Sequence, residues 1–189
     1  MSTAITLPRH KLTVTDYHRM IASGILTGDV RVELIEGDLI EMAPARPEHA
    51  DIIDYISETI RTQTKLKLRV QHPITLPEHS EPEPDIALVR SRRYFNAHPY
   101  PADVLMIIEV ADTSLDKDKN VKLPLYAWFR IPEVWIVDMQ GRAVECFWHP
   151  LIEAELAKYV HSKRVASGLL TAGTIPDVAL NLDELWVRD

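Results

Sequence analysis

Apolar residues recur along this chain with two different periods, and the changes between them mark its elements. From about Glu48 to Lys67, Ile52, Ile53, Ile56 and Ile60 repeat at helical spacing with charge on the opposite side, which predicts an amphipathic helix. A shorter helix is predicted after Thr13-Val14-Thr15-Asp16, which offers an N-cap; Tyr17, Met20 and Ile21 follow at helical spacing and Gly24 is a natural stop. Arg31 to Met42 reads as a hairpin, Val32-Glu33-Leu34-Ile35 and Leu39-Ile40-Glu41-Met42 flanking a turn that contains Gly37. Val104 to Val110 is apolar almost without a break, the pattern of a central strand covered on both faces.

Further strands are predicted over 68–76, 86–89, 133–138 and 142–148, with Lys158 to His161 and Arg164 as an edge strand and 181–186 as a short closing helix. The proline-rich stretches 77–84 and 90–103 read as loops. Thr113-Ser114-Leu115-Asp116 matches a capping box and predicts a helix running to about Phe129. Pro124 falls inside it, at a cost of roughly 3 kcal/mol unless the helix kinks or restarts. The order of elements implies an α/β or α+β fold, a mixed sheet flanked by helices with an N-terminal helix and hairpin. The 189 residues suit a loose arm over 1–12 and a single domain over 13–189.

Composition removes several function classes. The net charge of -7 gives no global positive field, so nucleic-acid binding requires a local basic patch. Cys146 is the only cysteine, which excludes an intrachain disulfide and, with eight histidines lacking close ligand spacing, argues against zinc. Residues 1–11 lack the apolar stretch of a secretory leader, and no apolar run approaches the length of a membrane span. Cytoplasm is the default location. The chain carries no nucleophile elbow, no phosphate-binding glycine loop and no dinucleotide fingerprint.

Four residues attract notice as chemistry. Glu109 interrupts a strand whose neighbours Ile107, Ile108 and Val110 should be buried, and a carboxylate there needs a partner or a cation. Asp85 is either a turn aspartate after Pro84 or a metal ligand at the mouth of a strand. Lys122, four residues after Asp118, is either one half of a surface helix salt bridge or a group that orients water and steadies negative charge. Glu33 in the hairpin is either a surface residue or an additional metal carboxylate. His49 at the start of the long helix reads as surface or structural, with a supporting place behind the ligands as its functional alternative. Arg90, Arg92 and Arg93 precede Tyr94 and Phe95 in a loop, where they are either solvated charge or contacts to a phosphate backbone and its bases. If the chain does bind nucleic acid, its basic residues have to be concentrated, for example in Arg90, Arg92, Arg93, Lys117 and Lys119.

These segments in order resemble the Uma-type restriction endonuclease family, a bacterial branch of the PD-(D/E)XK nuclease superfamily. The resemblance spans about Val32 to Asp138. It rests on Val32-Glu33-Leu34-Ile35-Glu36-Gly37, Pro44 through His49, Pro84-Asp85, Ile108-Glu109-Val110 and Thr113-Ser114. Asp118-Lys119-Asn120-Val121-Lys122-Leu123-Pro124-Leu125-Tyr126-Ala127 and Ile131 through Asp138 complete it. It implies a restriction-endonuclease-like core and a phosphodiesterase site using Mg²⁺ or Mn²⁺, with Asp85 and Glu109 as metal carboxylates, Glu33 as an extra acid and Lys122 as the catalytic lysine.

The usual lysine position, two residues after the strand acid, is Ala111 here, so the amine is expected from the following helix. Arg130 stands where family members often carry a glycine helix cap. The expected partner is nucleic acid, with DNA favoured, and a homodimer would follow by analogy. A nucleic-acid-binding accessory protein that keeps the fold and cleaves little is the alternative, and an interaction domain with a buried ion-pair network is the third.

Overall fold

The computed structural model describes residues 8–44 and 46–187, and its contacts divide them into two compact units. One unit runs up to Ala43 and takes in Thr75–Pro82; the other comprises Pro44–Ile74 and the chain from Glu83 onward.

The first unit holds α1 (Val14–Ala22) and an antiparallel hairpin of β1 (Val32–Ile35) and β2 (Asp38–Glu41). Thr13 and Asp16 cap α1 reciprocally, side chain to backbone in both directions. The hairpin turn needs two left-handed residues, and Glu36 and Gly37 supply them with φ of 49° and 81°. At Gly37 a Cβ would lie 2.7 Å from that of Lys11, so only glycine fits. Residues 1–7 of the expected arm lie outside the described residues. Lys11 pairs with Asp38 at 2.7 Å, and the Leu12 N–H donates to the Gly37 carbonyl. Within the same unit the buried Glu81 accepts from the Thr75 hydroxyl, sits 2.7 Å from His18 Nε2, and donates its N–H to Leu34.

The second unit is built on a six-stranded sheet of order β3-β4-β5-β6-β7-β8. Its strands are β3 (Lys67–Val70), β4 (Ile86–Val89), β5 (Val104–Ala111), β6 (Glu133–Asp138), β7 (Ala143–Glu153) and β8 (Leu156–Val165). The β5–β6 pair is parallel and every other pair antiparallel, so the sheet is mixed. Alternation along the strands sends Ile86, Leu88, Met106, Ile108, Val110, Trp135, Val137, Val144 and Cys146 into one core. There they meet Ile52, Ile53, Ile56 and Ile60 of α2 (Pro47–Gln63) and the closing segment of β9 (Leu169–Thr171), β10 (Ala179–Asn181) and α5 (Leu182–Leu185). A helical segment links β5 to β6 across the other face, as a parallel pair requires. Residue 109 points to that second face.

Several expectations are corrected in detail. The strand expected over 68–76 ends at Val70, because Gln71 turns left-handed at φ 50° and its N–H is taken by the Asp85 carbonyl. The long helix ends at Gln63, with Thr64 already extended. The Thr113 capping box does not form. The following helix begins at Leu115 without a side-chain cap, and the Ser114 hydroxyl donates to Asp118 instead.

Pro124 is accommodated by a restart. A short α3 (Leu115–Lys117) opens into a wider turn over Asp118–Lys122, in which the Leu123 N–H reaches back five residues to the Asp118 carbonyl. Then α4 (Leu123–Trp128) begins, with proline at its second position, where no N–H is needed. The helix closes with Ile131 N–H donating to the Tyr126 carbonyl and Arg130 N–H to that of Ala127, and this pair of hydrogen bonds holds Arg130 left-handed at φ 57°.

Candidate active site

Strand register brings the first two acids together. Ile86 pairs with Ile108 in the antiparallel β4–β5 ladder, so one step further along Asp85 stands beside Glu109. The backbone fixes the pairing: Val110 N–H donates to Asp85 Oδ2 at 2.8 Å, and Asp85 N–H approaches Glu109 Oε2 at 3.4 Å. Two carboxylates from adjacent strands are thus held at the end of β5 where β6 runs parallel.

Lys122 arrives from the wide turn on the covering helix. It is buried rather than a surface residue, 3% exposed, and its Nζ donates to Glu109 Oε1 at 3.2 Å. The Tyr126 hydroxyl donates to the same oxygen. Asp118 is equally buried, its carboxylate receiving the Ser114 hydroxyl at 2.6 Å. Asp118, Lys122 and Tyr126 are spaced four apart and share one helix face. Asp118 and Tyr126 were not expected to join the site, though this spacing was the signal that could have shown them.

Burial dominates the electrostatics. The Glu109 carboxyl is pushed up to about 8 by loss of solvent, with Asp118 and Asp85 pushing the same way and Lys122 and the Tyr126 hydroxyl opposing them. Burial also raises the Asp118 carboxyl, against the pull of Lys122 and Ser114.

His49, from the first turn of α2, reaches the same strand end. Its Nε2 donates to the Val110 carbonyl at 2.9 Å and lies 3.5 Å from Asp85 Oδ2. The bond to Asp85 raises its basicity, burial opposing. Its Nδ1 is buried with no hydrogen-bond partner among the described residues. His49 therefore ties Asp85 to the backbone of β5 rather than standing on the surface.

The remaining expected residues are carried by other elements. Glu33 is buried on β1, in the first unit. Arg90, Arg92 and Arg93 follow the far end of β4, five residues and about 16 Å of strand from Asp85. Lys119 sits on the wide turn, where both oxygens of Glu145 hold its Nζ at 2.9 and 3.1 Å. The basic residues expected to concentrate in one place therefore occupy both ends of the sheet.

The donor chemistry fits a hard divalent cation. Asp85, Glu109 and Asp118 set three carboxyl groups against one lysine, more acid than the lysine can keep ionised, and a cation there would favour their charged forms. Among the described residues no three histidine, cysteine, aspartate or glutamate side chains are arranged to hold an ion by themselves. The fit is to an ion held by one or two carboxylates and completed by water and phosphate, the mode Mg²⁺ favours.

The family model described as "Uma2: Putative restriction endonuclease" matches residues 14–179. Among solved structures the chain is similar to one described as a putative nuclease belonging to DUF820, from Anabaena variabilis ATCC 29413. The TM-score is 0.66 over 93% of this chain and 97% of that one, with 14% identity, a likeness of fold. No curated protein matches the chain. No helix among the described residues is long and apolar enough to cross a membrane.

Proposed function

We propose that this chain, which belongs to the Uma2 family, is an endonuclease that hydrolyses phosphodiester bonds in DNA with Mg²⁺ or Mn²⁺. The observation that carries the reading is Glu109: a carboxyl buried beside two others and one lysine, at a strand end next to Asp85. Carboxyl groups gathered in this way are costly for stability alone, a cost that a cation and a phosphate would offset.

Asp85 and Glu109 would hold the metal. When bound, the ion lowers the pKa of its water and neutralises charge on the scissile phosphate. Lys122 is aimed at Glu109 and would turn its ammonium toward the attacked phosphate, steadying the negative charge that builds on it. The Tyr126 hydroxyl would steady the Glu109 carboxyl, Asp118 would attract Lys122 by charge, and His49 would fix Asp85. Arg90, Arg92 and Arg93 would meet the nucleic acid away from the cut. Two copies would place two sites for two strands, by analogy with other enzymes of this fold.

The test is cleavage of plasmid and single-stranded DNA, with an RNA control, in Mg²⁺ or Mn²⁺. The parent is compared with Asp85→Asn and Lys122→Gln at matched folding. Metal-dependent cutting by the parent and none by either variant is expected. Equal activity in the variants would remove both residues from the chemistry.

One observation favours the accessory reading: Glu109 is already bonded to Lys122 and Tyr126, and Asp85 to Val110. Tight DNA binding without cutting under any divalent ion would select that reading.

A further inference from the structure

The loop between β4 and β5 carries an aromatic and cationic surface that the cutting chemistry does not use. A cavity of about 600 Å³ there is lined by Arg92, Arg93, Tyr94, Phe95, His98 and Tyr100 among others. Tyr94 forms its fixed wall. Lys67, Arg69 and Arg92 stand 5.9, 5.8 and 5.0 Å from its ring centre, and its hydroxyl donates to the Arg90 carbonyl. Arg92 is anchored by Asp103, and Arg69 by His98 at 3.1 Å. Phe95 is the opposite case. Its side chain is 84% exposed, with the Arg93 guanidinium 5.9 Å from the ring centre.

A free phenyl face beside guanidinium groups suits one class of ligand. A base in a duplex has both faces covered by its neighbours, so a duplex would offer this loop phosphates and groove edges only. An unpaired base offers a face to stack on the ring, and its phosphate offers charge to the arginines. Four cations, Lys67, Arg69, Arg92 and Arg93, surround the two rings in a chain whose net charge is -7, so the local field here opposes the global one.

We infer that this loop is a stacking subsite for an unpaired nucleotide, with Phe95 as the base platform and Arg93 as its phosphate contact. This deepens the nuclease reading and rests on it for biological meaning: the substrate has a single-stranded segment beside the cut. Asp85 precedes β4 and the Phe95 loop follows it, so the two lie toward opposite ends of that strand. A substrate that engages both is therefore a junction or a flap with an unpaired arm beside the duplex that is cut.

The measurement is fluorescence anisotropy with a labelled 12-nucleotide single strand and the same sequence as duplex, in EDTA so that nothing is cut. The parent should prefer the single strand. Phe95→Ala should weaken single-strand binding by about 5- to 150-fold, the range for loss of one base–aromatic stack, and leave the duplex nearly unchanged. Phe95→Trp should restore binding and Phe95→Leu should not, which separates stacking from greasiness. Arg93→Ala should weaken both ligands and flatten the salt dependence.

At 84% exposure Phe95 can be replaced without unfolding the chain. Unchanged single-strand affinity in Phe95→Ala, or an equal loss on duplex, overturns the inference. Stacking that persists in a protein which cuts nothing would sink the nuclease reading alone, and cutting of duplex by a protein indifferent to Phe95 would sink the subsite alone.

Discussion

Glu109→Gln in metal-free protein tests the central electrostatic claim. With a folded pKa of about 8 against an ordinary 4.5, the native protein keeps a proton on Glu109 across a window in which the unfolded chain has released it. Folding then takes up a proton, so this carboxyl favours the folded state below about pH 4.5, and that contribution is lost as the pH rises toward 8. With the pull of Lys122 at 3.2 Å already included, the interval corresponds to about 5 kcal/mol at ~1.36 kcal/mol per pH unit. With a urea slope of about 2 kcal/mol per molar, the parent's midpoint should fall by up to about 2 M from pH 5 to pH 8 relative to Glu109→Gln.

The comparison with the variant cancels groups remote from Glu109, while Asp85, Asp118 and Lys122 respond to its loss; His49, whose pKa is raised, gives stability that is likewise lost with rising pH. Urea denaturation in chelator at four pH values gives the curve. Added Mg²⁺ at pH 8 should raise the parent's midpoint and leave Glu109→Gln where it was. Parallel pH curves for the two proteins would refute the reasoning. They would mean that Lys122 outweighs burial and that Glu109 is ionised throughout, as in a permanent ion pair.

Two further outcomes follow from the same region. Tyr126→Phe removes the hydroxyl that Glu109 accepts; the cost in urea should grow from about 1 kcal/mol at pH 5 to about 2 kcal/mol at pH 8, as the acceptor goes from neutral to charged. Arg130→Gly relieves a left-handed residue at φ 57° and should raise the melting temperature by about 2–4 °C, roughly 1 kcal/mol; a lower melting temperature would mean the arginine side chain contributes more than the backbone strain costs.

What the sequence shows of this fold is what period and punctuation can carry. The isoleucine stripe of α2, the hairpin around Gly37 and the apolar run of β5 are local patterns, and each is found in place. The misses share a cause. Leu68 to Leu76 has strand composition, but Gln71 gives its N–H to Asp85, a partner fourteen residues away. Ser114 could have capped a helix, but Asp118 draws its hydroxyl into the buried cluster. In both cases a competing hydrogen-bond partner wins over the expected pattern.

The candidate site divides along the same line. Glu109 is legible because a carboxylate inside an apolar strand is conspicuous by itself. That Asp85 stands beside it depends on the β4–β5 register, which no local pattern encodes. Lys122 and Asp118 look like a surface pair because an i, i+4 spacing says which side chains share a helix face and not which way that face turns. The wide turn before Pro124 is what lets them turn inward: it resets the helix between α3 and α4 and carries both residues into the buried layer against Glu109. The proline that seemed to threaten the helix is therefore part of why the lysine reaches the strand acid from a helix, and not from the strand position where Ala111 has no amine to offer.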